Sequence, residues 1–203
     1  MEHIILIGGG GHSKVVIDAI KTSRQFDIYG ILDSKSPKGT HVLGVKVIGS
    51  DVLLPQLFKK GIRNAFISIG SIGDCRHRKM IYNKLKKIGF SLPVIIHQKA
   101  VVAKDVHVEE GAFVAAGAVI NPGTKIGRNT IINTSASIDH DCVIGDFVHV
   151  APGVTLSGGV RVGGYTHIGT GANVIQYIKI GKCCMISAGA VVYHNIRDGQ
   201  KRL

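Results

Sequence analysis

The sequence predicts two regions of different class: an α/β domain over residues 1–98 and a parallel β-helix over residues 99–203. Three observations predict this. From Val102 to Val192 every sixth residue is aliphatic. Upstream, a glycine-rich turn stands between an aliphatic run and an amphipathic one. Charge also divides the chain, because residues 1–99 hold 16 Lys+Arg against 6 Asp+Glu and residues 100–203 hold 9 against 7.

The α/β elements follow in order. Residues 3–7 (His-Ile-Ile-Leu-Ile) read as a buried strand. Gly8-Gly9-Gly10-Gly11-His12-Ser13 turns the chain into a helix from Lys14 to about Lys21, with Val15, Val16, Ala19 and Ile20 on its apolar face. A strand over residues 28–32 ends at Asp33, and another over 65–69 ends at Gly70-Ser71, before a helix from about Cys75 to Ile88. This is a Rossmann-like βαβ arrangement: a helix N-terminus where phosphate can lie, and an acid at the end of the second strand. The strict GxGxxG spacing would place its third glycine at Ser13, so a tight turn without a ligand is the alternative reading.

In the second region, stepping by six from Val102 meets sixteen aliphatic residues, of which all but Leu156 are Val or Ile. Two positions earlier runs a second small or apolar set, from Ala112 through Thr124, Cys142 and Val160 to Ala172. Side chains two apart on a strand share a face, so both sets point inward. Three positions after each aliphatic residue, Gly, Asn or Asp recurs, as at Asp105, Gly111, Asn129, Asp141, Gly159 and Asn195. These types tolerate the positive φ of a sharp corner. Strands this short bury their faces only by coiling, with coils stacked about 4.8 Å apart. No insertion interrupts the period between residues 102 and 197.

Composition excludes several classes. At 45% hydrophobic and 19% charged the chain is globular, not disordered. No apolar run approaches the roughly 18–20 residues of a membrane-spanning helix. The first aliphatic run is too short and wrongly flanked for a secretion signal, so a cytoplasmic protein is expected. The cysteines, Cys75, Cys142, Cys183 and Cys184, form no CxxC pair, and reduced, mostly buried thiols are expected. The prism histidines fall at 107, 140, 149, 167 and 194, and no two are five apart, the spacing of the zinc-binding hexapeptide-fold hydratases. No metal is therefore expected. With only 5% aromatics and no helix-turn-helix pattern, the basic first half suggests a small anionic nucleotide ligand ahead of nucleic acid.

Taken together, Gly8-Gly9-Gly10-Gly11-His12-Ser13-Lys14-Val15-Val16 stands ahead of a hexapeptide repeat. Leu32-Asp33, Ile69-Gly70-Ser71, and the stretch from Asn133-Thr134-Ser135 through Asp139-His140-Asp141-Cys142 to His149 accompany it. From about residue 3 to 197 the chain resembles the bacterial hexapeptide-repeat sugar acyltransferases of the sialic acid O-acetyltransferase and UDP-bacillosamine N-acetyltransferase group. The resemblance implies a left-handed β-helix with three hexads, about 18 residues, per coil. It implies acetyl transfer from acetyl-CoA to the amino group of a nucleotide-linked amino sugar of the UDP-4-amino-sugar type, for surface glycan, by a homotrimer. O-acetylation of sialic acid or a polysaccharide is the second reading, and a non-catalytic sugar-nucleotide-binding scaffold is the alternative of another class. In that family the front domain holds the sugar nucleotide, which assigns Gly10, Gly11, His12, Asp33, Ser34, Gly70 and Ser71 to substrate contacts. Many relatives have a second acid where this chain has Ser34, which leaves the sugar open.

Acetyl transfer needs a base for the acceptor's proton and a donor for the developing oxyanion. His140 falls at a corner, where side chains point outward, between Asp139 and Asp141. Neighbouring acids strengthen an imidazole as a base. The resemblance agrees, making His140 the proton acceptor and Asp141 its partner; an ordinary exposed corner histidine is the alternative. With coils of the family's length, Gly158 stacks next to His140 and is the candidate oxyanion donor, and His149 stacks on His167. The small-residue column Pro152, Thr170, Ala188 suits an extended pantetheine arm. In the family acetyl-CoA lies in a groove between neighbouring subunits, so the resemblance makes His149, Thr170 and Ala188, with Gly158, the expected acetyl-CoA contacts. Simple corner filling is the alternative for Thr170 and Ala188. Relatives continue into a Gly-x-Pro-Ala-Lys segment that helps cover the coenzyme; here the sequence reads Gly199-Gln200-Lys201-Arg202-Leu203, from which weaker coenzyme binding is expected.

Overall fold

The computed structural model describes residues 1–202, so the tail segment's Leu203 lies outside the described residues. The chain forms two compact units: Met1–Gly70 with Arg76–His97, and Ser71–Cys75 with the chain from Gln98 onward.

The first unit contains β1 (Glu2–Ile7), α1 (Gly11–Ser23), β2 (Phe26–Leu32), β3 (His41–Val42), β4 (Val45–Gly49), α2 (Leu54–Lys59), β5 (Asn64–Ile67) and α3 (Arg76–Ile88). The sheet order is β3-β4-β2-β1-β5, parallel except for the β3–β4 pair. Strand β1 is paired on both sides, and its run Ile4–Ile7 is buried throughout, as an interior parallel strand requires. The order reverses between β1 and β5, and a doubly wound sheet opens a crevice at such a point, beyond the carboxyl ends of its strands.

The helices depart from the expected boundaries. Helix α1 starts at Gly11 instead of Lys14 and runs to Ser23. Gly10 is its extended N-cap, and Ser13 Oγ turns back to donate to Gly10 O at 2.6 Å. The buried stripe of α1 is Ser13, Val16, Ile17, Ala19 and Ile20, with Val15 only half-buried at its margin. Helix α3 starts at Arg76 instead of Cys75, and β5 ends at Ile67. The β3–β4 hairpin turns at Leu43 and Gly44, both at positive φ (45° and 79°), the geometry of a tight primed turn.

The second unit is a three-faced parallel β-helix. One face stacks Val101–Val102 up to Val191–Val192, and the next stacks His107–Val108 up to Lys179–Ile180. The third stacks Phe113–Val114 through Met185–Ile186 to Lys201–Arg202. Partners such as Val119↔Ser137 and His149↔His167 are 18 residues apart, so each coil takes three hexads. Of the repeating aliphatic residues only Val102 and Val108, in the first coil, are not fully buried. The second inward set is buried throughout from Ala112 to Ala172. Its threonines are satisfied there: Thr124 Oγ1 donates to Asp139 O and accepts from Cys142 N–H, and Thr166 Oγ1 repeats the arrangement with Gly181 O and Cys184 N–H.

The period does not run evenly to residue 197. Ile180 pairs with Ile196 and Met185 with Lys201, sixteen residues on, so the last coil is two residues short. Asn195 Oδ1 and Asp198 Oδ1 accept the N–H groups of Lys179 and Lys182 there. The corner expected at Asn195 is accordingly not left-handed, and neither is Asp105. All four cysteines are free, with Cys142 and Cys184 buried and Cys183 exposed on a left-handed corner. Burial pushes the Cys142 thiol up to about 11, which keeps it protonated and inert.

Candidate active site

The α/β unit holds a cavity of about 530 Å³ where the sheet order reverses. The turn after β1 contributes Gly8, Gly10, Gly11 and His12, and the segment after β5 contributes Ser68, Ile69 and Gly70. Gly8 (φ 107°) brings these walls together, since a Cβ there would lie 2.4 Å from Ile69 Cγ1. A Cβ on Gly10 or Gly11 would meet nothing within 4 Å. Helix α1 has no side-chain cap and no acid in its first turn, and the positive end of its dipole favours an anion there.

Asp33 joins the cavity from the end of β2. Its Oδ2 accepts the Gly9 N–H, and Oδ1 accepts those of Lys35 (2.6 Å) and Ser36 (3.0 Å). Burial pushes this carboxyl up, but the three backbone donors and the Lys35 charge outweigh it and hold the pKa below the usual value. Asp33 thus fixes the glycine turn as well as facing the cavity. Ser34 lines the cavity beside it. Ser71 does not: it belongs to the second unit, where its carbonyl faces His149. Lys35, Asp51, His77 and Met80 also line the cavity. The sequence pointed to none of these four, because the elements that carry them, the loop after Asp33 and the first turns after β4 and into α3, have no glycine signature.

On the β-helix, His140 stands on a corner with its side chain half exposed. Its Nδ1 lies 2.8 Å from Asp141 Oδ2. Asp141 reaches back because its backbone is left-handed (φ 58°). On the other side, Asp139 Oδ1 accepts the His140 N–H at 2.8 Å and the Asn121 amide at 3.0 Å, which hold the Asp139 carboxyl low. The Asp141 hydrogen bond raises the His140 pKa; slight burial opposes it, and the charges of Asp139 and Asp141 add to it. With Nδ1–H donating to Asp141, the Nε2 lone pair is the basic one.

Gly158 lies one coil away, and a Cβ on it would stand 2.6 Å from His140 Nε2 and 2.7 Å from Cε1. The imidazole therefore rests on a residue that has to be glycine for it to lie there. The Gly158 N–H donates to no group among the described residues.

His149 is nine-tenths buried on the third face. Asn133 Oδ1 accepts the Thr134 N–H at 2.8 Å, so the Asn133 amide N–H turns toward His149 Nε2 at 3.1 Å. That leaves His149 Nδ1–H to donate to Ser71 O at 2.6 Å. His167 packs edge-on against His149 with ring centroids 4.9 Å apart, and burial lowers its pKa. Among the described residues no cluster of three or more His, Cys, Asp or Glu side chains could hold a metal, and no helix is long and apolar enough to cross a membrane.

Comparison with known proteins matches residues 3–85 to the PglD N-terminal domain and residues 123–158 to the bacterial transferase hexapeptide (six repeats). A curated GDP-perosamine N-acetyltransferase from Escherichia coli O157:H7 is 30% identical over 118 residues, or 58% of this chain. That alignment spans about half of the curated relative, 53% of its length. The perosamine N-acetyltransferase of Caulobacter crescentus, solved as a His-to-Asn variant in complex with CoA and GDP-perosamine, is 40% identical with a TM-score of 0.91. The match covers 98% of this chain and 91% of that one. The acetyltransferase domain of PglB from Neisseria gonorrhoeae FA1090 in complex with acetyl coenzyme A is 34% identical with a TM-score of 0.89, covering 98% and 95%. This chain belongs to the hexapeptide-repeat sugar acetyltransferases.

In this member of the family Thr170 and Ala188 are exposed along the edge that also carries Gly153, Gly171 and Gly189. Each of those glycines has positive φ, and a Cβ on it would meet nothing within 4 Å. The edge is thus free of bulky side chains over three coils, a surface that fits an extended chain such as pantetheine.

Proposed function

We propose that the protein transfers the acetyl group of acetyl-CoA to the amino group of a nucleotide-linked amino sugar, with His140 as general base. One observation carries the reading: His140 Nδ1 is tied to Asp141 Oδ2 at 2.8 Å while its Nε2 edge lies over Gly158, whose N–H is open. Acetyl-CoA supplies an acyl group already activated as a thioester. His140 Nε2 takes the proton that the sugar amine loses as it attacks the thioester carbonyl carbon. The tetrahedral intermediate then collapses with cleavage of the C–S bond, and the CoA sulfur leaves with the proton returned from the imidazolium. Asp141 holds the ring in the tautomer that leaves Nε2 basic and stabilises the imidazolium. The Gly158 N–H faces the oxygen on which negative charge develops. His149, Thr170 and Ala188 lie along a different edge of the β-helix from His140 and Gly158, so they contact the donor from a neighbouring subunit of the homotrimer. His149 is held for this by Asn133 and Ser71.

The cavity of the α/β unit takes the nucleotide. Gly10 and Gly11 offer helix N–H groups to phosphate, with His12, Asp33, Ser34 and Gly70 around them. Ser71, outside that cavity, acts through His149. GDP-perosamine, bound by the Caulobacter relative, makes GDP-linked 4-amino sugars the first acceptors to test, ahead of the UDP-linked sugars that the resemblance implied. The reading includes assembly as a homotrimer and a cytoplasmic place of action in surface-glycan synthesis.

The test is turnover of GDP-, UDP- and dTDP-linked 4-amino sugars and free sialic acid by wild type and His140→Ala. The variant is expected to lose at least about 10²-fold in kcat and still bind CoA. Turnover by His140→Ala at the parent rate would overturn the base, and turnover of sialic acid alone would overturn the acceptor class. A CoA-binding protein that acetylates nothing in the panel would be a scaffold.

A further inference from the structure

Tyr177 occupies the corner one coil beyond Gly158. Its N–H donates to Gly158 O at 2.9 Å, as the Gly159 N–H donates to His140 O at 2.9 Å on the coil before. His140 and Tyr177 are therefore two coils apart, about 10 Å, and the chain between them is Gly158-Gly159, without side chains. The Tyr177 ring rests on that glycine pair, because a Cβ on Gly159 would lie 2.5 Å from Tyr177 Cδ1. The imidazole thus covers Gly158 and the aromatic ring covers Gly159, and they flank a notch whose floor is this bare backbone. Gln176, stacked on Gly158 in the next coil, is exposed beside Tyr177.

The coil ladder fixes Tyr177 left-handed (φ 61°), as it does other corners. What the packing of the β-helix leaves unexplained is its ring, because Tyr177 is 71% exposed. Phe147 and Tyr165 share the left-handed conformation, but their rings stack at 5.5 Å with planes 8° apart, and Phe147 is buried. Tyr177 makes no ring contact among the described residues. Ile175, two residues before it, and Tyr193, on the coil beyond, are exposed as well.

We propose that Tyr177 is a donor-binding residue whose ring forms the apolar wall of this notch, against which the thioester end of acetyl-CoA lies. This rests on the reading of His140 and Gly158 as the site of chemistry. The thioester sulfur and the methylenes next to it are apolar and polarisable, and such groups pack well on aromatic rings. With its carbonyl oxygen on the Gly158 N–H and the attacked carbon facing His140, the donor has its remaining apolar surface turned to Tyr177.

The chain has no tryptophan, so Tyr177→Trp installs a single fluorophore in the wall. Titration with CoA is expected to change its emission saturably, a readout that needs no turnover. Tyr177→Gly, a change the left-handed backbone favours, is expected to raise KM for acetyl-CoA about tenfold more than KM for the acceptor sugar nucleotide. Tyr177→Phe is expected to keep the wild-type ratio, since the wall works by its ring. Unchanged tryptophan emission at saturating CoA in an active Tyr177→Trp protein would overturn the proposal. Equal effects of Tyr177→Gly on both KM values would do so too. A Tyr177→Gly protein whose only change is its oligomeric state would place the ring against a second copy instead. His140→Ala, assayed in parallel, tests the underlying reading separately: retained turnover there removes that reading, whatever Tyr177 does.

Discussion

Gly158 and His140 are fitted to each other across one coil of the β-helix. The imidazole lies so close over the glycine that a methyl group added there would stand 2.6 Å from Nε2. The backbone of Gly158 is not left-handed, so alanine is conformationally acceptable at the position. The clash is with the far end of an exposed side chain, and the ring, not the coil, gives way. Gly158→Ala is therefore expected to melt within about 2 °C of wild type and to lose roughly 10²-fold in kcat through misplacement of the base. Circular dichroism melts and steady-state kinetics on the same preparation check both parts. A large loss of stability would show that the glycine serves the coil and not the histidine.

The His140–Asp141 pair sets a pH dependence with a definite sign. The Asp141 hydrogen bond raises the His140 pKa above the ordinary histidine value. The base form is needed, so kcat/KM rises with pH through that raised pKa and levels off above it. Asp141→Asn removes the carboxylate that raises it. The rising limb should move to lower pH, and the plateau should fall by about tenfold or more because the ring loses its orienting acceptor. A pH–rate profile of the two proteins decides it; a limb that stays in place would mean that the profile belongs to another group.

The legibility of the sequence was uneven for physical reasons. Inward positions repeat the same apolar types on every coil, so the β-helix and its buried sets could be read directly. Corners were harder. Gly111, Asn129 and Asp141 announce positive φ by residue type, whereas Ser135, Phe147, Tyr165, Tyr177 and Cys183 adopt it without announcing it. There the hydrogen-bond ladder of neighbouring coils fixes the backbone, as Phe147 N–H to Arg128 O and Tyr165 N–H to Asp146 O illustrate. Tertiary pairing overrides local preference at these corners. The Leu43-Gly44 turn escaped notice because leucine occupies a position where asparagine or aspartate is usual. The short last coil did leave a mark in the sequence: after Val192 the six-residue period meets Asp198, and Ile196, two residues earlier, takes the place opposite Ile180. The cavity's glycine turn and Asp33 were legible as a motif, but Asp51, His77 and Met80 reach the same cavity from segments remote in sequence, and only the fold brings them together.

Asp33 gives a test of the cavity that is independent of the β-helix. Its carboxylate accepts N–H groups from Gly9, Lys35 and Ser36, tying the glycine turn to the loop after β2. Its pKa is lowered in the folded protein, so the stability it adds is present above the unfolded value of 3.8 and is lost as pH falls through the folded value. Asp33→Asn keeps the shape but offers one neutral acceptor oxygen in place of a charged pair. The variant should melt below wild type at pH 7, and the gap should narrow below about pH 4, where wild type protonates the same group. With the turn loosened, KM for the sugar nucleotide should rise while CoA affinity measured by calorimetry stays at the wild-type value. A melting gap that persists at pH 3 would show that Asp33 stabilises the turn by packing and not by charge, and a matching loss of CoA affinity would place its effect outside the cavity.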